Sequence, residues 1–120
     1  MSIQINWLIA HKPVNLFIRT AEAFKKAIAE ATNGKYEIVI HEKESEEHFQ
    51  AETGKTTVKA LTDNDYQMSQ TEVYQIGKMH EGTKDFLALD LPFLFESHDH
   101  CSAVMEGPIG AELNNKLHKH

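Results

Sequence analysis

The chain has 120 residues, 41% hydrophobic and 25% charged, which is typical of one soluble globular domain with a core of its own. Twelve basic residues face eighteen acidic ones, so the net charge is −6 and no basic tract indicates a nucleic-acid partner. No stretch approaches the roughly 18 apolar residues of a membrane-spanning helix, and a single cysteine, Cys101, excludes an internal disulfide.

The first forty residues predict a βαβ unit. Ile3–Ala10 alternates apolar and polar side chains and then becomes apolar on both faces, which indicates a strand that ends before Pro13. Apolar residues then recur at three- and four-residue intervals over Val14–Ala31, one face of a helix, and Gly34 supplies the stop. Tyr36–Ile40 is the second strand. This order implies a parallel pair with a right-handed crossover.

The middle of the chain combines an acidic stretch with a third predicted strand. Residues 42–55 predict a solvated loop running into a helix, since the acids lack the spacing of a calcium loop. A short helix follows around Val58–Leu61. Tyr66–Thr71 predicts the third strand, with polar residues at its C-terminal end. Open parallel sheets bind ligands beyond the carboxyl ends of their strands, so this end is a candidate site.

The last third predicts a helix, a strand and two further helices. Helical spacing runs over Val73–His80 and stops at Gly82. The apolar run Leu87–Phe95 predicts a fourth strand. Ser97 is a favourable N-cap, and Asp99 lies in the first helical turn, where the helix dipole favours an acid. A Gly-Pro-x-Gly break then leads into the terminal helix.

The cluster His98-Asp99-His100-Cys101 raises the question of a zinc site. Residues two apart on a helix point about 200° away from one another, so His98 and His100 do not share a metal easily. We therefore expect a capped helix start with Cys101 as a small buried hydrophobe, and no metal or cofactor. The terminal His118-Lys119-His120 predicts a solvated helix end. No nucleophile elbow, phosphate-binding loop or zinc-protease helix indicates an enzyme.

Two stretches resemble a known family. "LDLPFLF" (residues 89–95) and "MEGPIGAEL" (residues 105–113) resemble the solute-binding receptors of tripartite ATP-independent periplasmic (TRAP) transporters, of the DctP type. Upstream, "AEAFKKAIAEATNGKYEIVI" (residues 21–40) and "ALTDNDYQMSQT" (residues 60–71) resemble that family's first helix, second strand and third strand in order. The resemblance runs through essentially the whole chain.

The resemblance implies both a fold and a function. The fold is α/β: a βαβ-based, mainly parallel sheet flanked by helices, the first lobe of a two-lobed, periplasmic-binding-protein-like fold, with residues 1–120 as a single domain. Receptors of this type are not enzymes and carry no cofactor. They capture a small organic carboxylate in the periplasm and deliver it to a TRAP membrane permease that an ion gradient drives. The start of this chain shows no signal peptide.

The resemblance also implies where ligand is bound. First-lobe contacts come from the loop after the first strand and from the end of the third strand. These positions correspond to His11, Asn15, Ser69, Gln70 and Thr71. Amides and hydroxyls there hydrogen-bond a carboxylate without burying a lone charge. His11 is equally well explained as an ordinary hydrogen-bonded histidine at a strand end.

The sequence departs from the family in length. Family members are more than twice as long, and the arginine that clamps their substrate lies beyond the matched part, while Arg19 is expected to be exposed on the first helix. We therefore expect half a cleft, exposed apolar surface near Phe93 and Phe95, and a homodimer formed through that surface. The alternative is a stand-alone α/β module that binds a protein partner or a metal through its histidines. A C4-dicarboxylate, keto acid, sugar acid or sialic acid all remain open as ligands.

Overall fold

The computed structural model describes all residues, Met1–His120. The chain separates into two compact units, Met1–Thr71 and Glu72–His120. That residues 1–120 form a single domain stays a prediction. None of the helices combines the length and apolar content needed to cross a bilayer.

The first unit is built on a parallel three-stranded sheet. Its elements are β1 (Ile3–Ile9), α1 (Val14–Ala31), β2 (Tyr36–Glu42), α2 (Glu46–Thr53), α3 (Thr57–Thr62) and β3 (Met68–Ser69). The strand order is β2-β1-β3, and both neighbours pair with β1 in parallel. The β1–β2 ladder runs from the pair Ile3 and Tyr36 to the pair Ile9 and Glu42. The predicted βαβ unit is therefore confirmed.

Helices cover both faces of this sheet. Successive side chains of β1 point to opposite faces, so each layer of helices packs against its own set of them. On one face, α1 packs through Ala21 against Trp7 and Ile9 of β1. On the other face, Leu8 and Ala10 of β1 pack with a second set of buried side chains, Phe49 of α2 and Ala60 of α3. The unit is a three-layer α/β/α arrangement, which confirms the predicted fold class and explains why the end of β1 is apolar on both faces.

The acidic middle stretch forms the predicted loop and helix. Ser45 caps α2 by accepting a hydrogen bond from the His48 N–H, and Gly54 ends the helix in the left-handed conformation. Glu52 contacts Lys43 at 2.7 Å and His48 at 3.3 Å. The hydrogen bond from the Lys43 ammonium lowers the pKa of Glu52. These acids make surface ion pairs and do not converge on a cation.

The third strand is shorter than the sequence predicts. Only Met68 and Ser69 join the ladder with β1, whereas the prediction covered Tyr66–Thr71. Tyr66 packs against the buried cluster that contains Leu8 and Phe49, and the ladder with β1 begins only two residues later, at Met68.

The second unit is helical, and the predicted fourth strand is wrong. It contains α4 (Val73–Met79), a 3₁₀ helix (Glu81–Asp90), α5 (His98–Glu106) and α6 (Pro108–Lys119). The first part of the predicted strand lies in the 3₁₀ helix. The two buried residues there, Thr83 and Phe86, lie three positions apart, which matches three residues per 3₁₀ turn. A short apolar run is equally compatible with a buried helical segment, which is why periodicity misassigned it.

Capping residues set the bounds of α5 as predicted. The Ser97 hydroxyl accepts a hydrogen bond from the His100 N–H at 3.1 Å, and Asp99 lies in the first turn. Cys101 is half-buried, so its assignment as a buried hydrophobe is wrong. The residues next to it in the first turn of α5 are exposed, so there is no buried cluster for its side chain to join.

Apolar side chains are exposed after the 3₁₀ helix. Phe93 is fully exposed and has a φ of +58°, a conformation that costs a non-glycine residue energy. Leu91 and Leu94 beside it are 59% and 40% exposed. Phe95 is half-buried and packs against the His100 ring. The expectation of exposed apolar surface at this position is confirmed for Phe93.

Candidate ligand-binding site

The carboxyl ends of β1 and β3 lie side by side at one edge of the sheet. Their ladder pairs Trp7 with Met68 and Leu8 with Ser69. Continuing this register places Ala10 beside Thr71. Because β1 lies between β2 and β3, the chain order reverses at the β1–β3 boundary, and such a switch point opens a crevice in parallel sheets.

The start of α1 gives this edge a positive character. The helix begins at Val14, directly after the loop that follows β1, and no side chain caps its first turn. That turn also contains no acidic residue. The N-terminus of an 18-residue helix carries a partial positive charge, so the edge favours an anion over a cation.

Gln70 has an unsatisfied polar atom. Its side-chain oxygen Oε1 is buried and has no hydrogen-bond partner. Buried polar atoms in native structures are nearly always paired, so an unpaired one needs an explanation. The oxygen only accepts, so it needs a donor such as a ligand hydroxyl, while the amide nitrogen of the same side chain can donate to a carboxylate.

Ser69 and Thr71 are the other two predicted ligand contacts at the end of β3. The Ser69 hydroxyl donates to the Leu8 carbonyl at 2.8 Å, so its only proton is used within the sheet. In this geometry Ser69 can only accept a further hydrogen bond, which does not suit a carboxylate. Thr71 is half-buried at the end of the unit.

His11 and Asn15 flank the loop between β1 and α1. His11 is half-buried, and its ring lies 5.6 Å from the Phe17 ring of α1. Asn15 is exposed in the first turn of the helix. The five predicted residues therefore lie in two segments, one between the end of β1 and the first turn of α1 and one from the last residue of β3 onwards, and their role in ligand binding stays a prediction.

The histidine-rich segments serve local structure. His100 Nδ1 accepts a hydrogen bond from the Glu96 N–H at 3.2 Å. The terminal His120 ring stacks on His80 with 4.5 Å between ring centroids. No group of three or more His, Cys, Asp or Glu side chains in the chain is arranged to hold a metal ion.

Sequence reasoning missed a set of polar residues on the α2–α3 face of the sheet. Asn6 of β1 hydrogen-bonds to Gln67 and to His41 of β2. The one available signal was an asparagine inside an apolar strand, where β-propensity disfavours it.

Comparison with known proteins assigns the chain to a family. The model of bacterial extracellular solute-binding proteins, family 7 (DctP), matches residues 10–120. The chain belongs to the DctP family. Members of this family are binding proteins and not enzymes. No curated protein sequence matches the chain at a significant level.

Two solved receptors share the fold. A TRAP periplasmic solute-binding protein from Sulfurospirillum deleyianum, with bound succinate, has a TM-score of 0.75 at 24% identity and covers 99% of this chain. One from Ochrobactrum anthropi, with its C-terminus bound in the ligand-binding pocket, has a TM-score of 0.73 at 21% identity and covers 98%. The DctP chain spans only 36% and 34% of these two receptors. At such identities the likeness shows the fold, which is that of two-lobed periplasmic binding proteins.

Proposed function

We propose that this chain acts in solute capture for a TRAP transporter, as the first lobe of a receptor that takes a small organic carboxylate and delivers it to a membrane permease. The observation that carries the proposal is the β1–β3 edge, where the Gln70 carboxamide, with its unpaired oxygen, and an uncapped helix N-terminus belong to the same unit. The helix N-terminus favours a carboxylate by charge, and the Gln70 amide nitrogen can donate to that carboxylate, which leaves Oε1 to accept from a ligand hydroxyl or from water.

Family membership supports the class of function and the compartment. The DctP description is that of an extracellular solute-binding protein, which fits a periplasmic location. The succinate in the related receptor is a C4-dicarboxylate, and a polypeptide C-terminus, as in the second receptor, also ends in a carboxylate. We infer that the ligand of this chain is an organic acid of similar size.

Thermal unfolding with and without organic acids tests the proposal. A ligand that binds only the native state stabilises it by RT ln(1 + [L]/Kd), or about 1.4 kcal/mol at tenfold excess over Kd. We expect succinate or a related acid at millimolar concentration to raise the melting temperature. Trp7 is the only tryptophan and is buried in the first unit, so its fluorescence follows the unit that carries the site.

Gln70→Ala is the decisive variant. We expect it to abolish the stabilisation by acid, because the amide is lost from the ligand edge. Gln4→Ala is the matched control, since Gln4 is exposed at the opposite, amino-terminal end of β1. A cooperative transition that no acid shifts in the wild type would show that this chain does not bind solute by itself. Equal responses of the two variants would remove Gln70 from the site.

A further inference from the structure

The short third strand requires a second means of holding it in place. β3 pairs with β1 through only Met68 and Ser69, yet Ser69 and the two residues after it are ligand candidates. Gln67, just before the ladder, supplies additional bonds. Its N–H donates to the Asn6 carbonyl at 3.0 Å, and its side-chain Oε1 accepts from the Asn6 N–H at 2.9 Å. The side chain thus replaces a main-chain carbonyl as partner for β1.

These bonds determine the orientation of each side-chain amide. A backbone N–H can only donate, so the Gln67 oxygen must face Asn6, and its nitrogen then points to the Asn64 carbonyl and side-chain oxygens, both at 3.3 Å. Asn6 Nδ2 donates to the same Gln67 oxygen at 3.3 Å. The Asn6 oxygen therefore faces His41, whose Nε2 lies 2.8 Å away and donates. We name Asn64, Gln67, Asn6 and His41 the cross-strand chain.

Aromatic side chains pack against His41, which is one end of the cross-strand chain. The His41 ring lies edge-on to Tyr66, with 5.2 Å between centroids, and Tyr66 packs against the buried Phe49 at 6.1 Å. Because Tyr66 immediately precedes Gln67, the segment entering β3 is held both by a core contact and by hydrogen bonds. All three strands are joined in this way.

We propose that Asn6, Gln67 and His41 are positioning residues for the β1–β3 ligand edge: they set the register of β3 on β1 and so place Gln70 and Thr71 next to the loop that follows β1. Their importance for ligand rests on the proposed function, whereas their effect on register does not. A strand with only two paired residues has a weakly specified register, so we expect β3 to shift along β1 when the hydrogen bonds of the cross-strand chain are lost.

Amide exchange and chemical shifts measured by NMR test the register directly, without ligand. The variants are Gln67→Met, which keeps the shape but has no acceptor, and Gln67→Glu, whose carboxylate still accepts from both Asn6 donors but no longer donates to Asn64. We expect Asn6 N–H exchange about tenfold faster in Gln67→Met, since its acceptor is gone. The amide resonances of Gln70 and Thr71 should move in Gln67→Met and return towards wild type in Gln67→Glu. Gln4→Met is the matched control.

A succinate titration of the same samples separates the two proposals. If the wild type binds, Gln67→Met should weaken binding by about tenfold and Gln67→Glu by much less. If the register effects occur but the wild type ignores succinate, solute binding at this edge fails while the positioning role stands. If Gln67→Met leaves Asn6 exchange and the Gln70 and Thr71 resonances as in Gln4→Met, the positioning proposal is overturned. Should Gln67→Met not fold, the shorter amide of Gln67→Asn supplies the same comparison.

Discussion

At the scale of single residues, one side chain can join two elements that do not pair in the sheet. Glu46 in the first turn of α2 accepts from the Thr57 N–H at 2.7 Å with one oxygen and from the Thr57 hydroxyl with the other. Thr57 is the first residue of α3 and is 3% exposed. One carboxylate therefore pairs two polar groups that water does not reach, and it joins the starts of both helices on that face of the sheet.

We predict that Glu46→Ala lowers the free energy of unfolding by about 1–3 kcal/mol, because it leaves the buried Thr57 groups without partners. Urea unfolding followed by Trp7 fluorescence measures the change. Glu47→Ala is the control, since Glu47 is exposed in the same helical turn and its loss removes an acid from the same helix N-terminus, together with its own hydrogen bond to Ser45. Equal losses for both variants would show that the dipole and not the Thr57 contact is responsible.

At the scale of elements, the junction of α5 and α6 depends on a close backbone approach. A side-chain Cβ at Gly110 would clash with the carbonyl oxygen of Met105, an atom that cannot move away by rotating a side chain. Gly110 is one of the glycines in the stretch that resembles the DctP receptors. Its role here is steric, because only a residue without a Cβ lets α6 start against the end of α5.

We predict that Gly110→Ala destabilises the second unit by at least the roughly 1–3 kcal/mol typical of overpacking. The expected result is loss of helical circular dichroism at a lower temperature than in the wild type, while Trp7 fluorescence of the first unit changes less. Asn115→Ala, an exposed position on the same helix, serves as the control. Unchanged helical melting in Gly110→Ala would mean that α6 can move away from α5 at little cost.

At the scale of the whole molecule, apolar exposure is concentrated in the second unit. Phe93, Leu91 and Ile109 are 100%, 59% and 58% exposed, whereas Phe86 and Leu113 are the only large apolar side chains buried there. So little burial contributes little hydrophobic stabilisation. Exposed apolar side chains of this kind are candidates for contact with another protein surface, and the homodimer stays a prediction.

We predict concentration-dependent self-association of the wild type, measured by light scattering coupled to size exclusion. Phe93→Asn should reduce it, and it should not lower stability, because asparagine tolerates positive φ better than phenylalanine does. Leu16→Asn is the control, since Leu16 is 55% exposed on α1 of the other unit. A wild type that stays monomeric at all concentrations would contradict the prediction.

Local patterns were sufficient where an element depends mainly on its own residues. The alternation in Ile3–Ala10 and the helical spacing in Val14–Ala31 predicted β1 and α1 closely, and the predicted cap at Ser97 has a local chemical cause. The polar end of the third strand was also predicted from local pattern, whereas the five candidate residues for ligand binding came from the resemblance to the DctP receptors.

The sequence by itself determined the βαβ start, the parallel α/β class and the family, because these rest on periodicity and on motifs written in consecutive residues. Only the tertiary structure decided how much of Tyr66–Thr71 becomes strand, that Leu87–Phe95 contains no strand, and that Gln67 bonds to Asn6 across the sheet. The physical reason is that a strand exists only through its partner. Whether an apolar run pairs, coils into a 3₁₀ helix or packs against a neighbour depends on residues far away in sequence, and no local pattern records them.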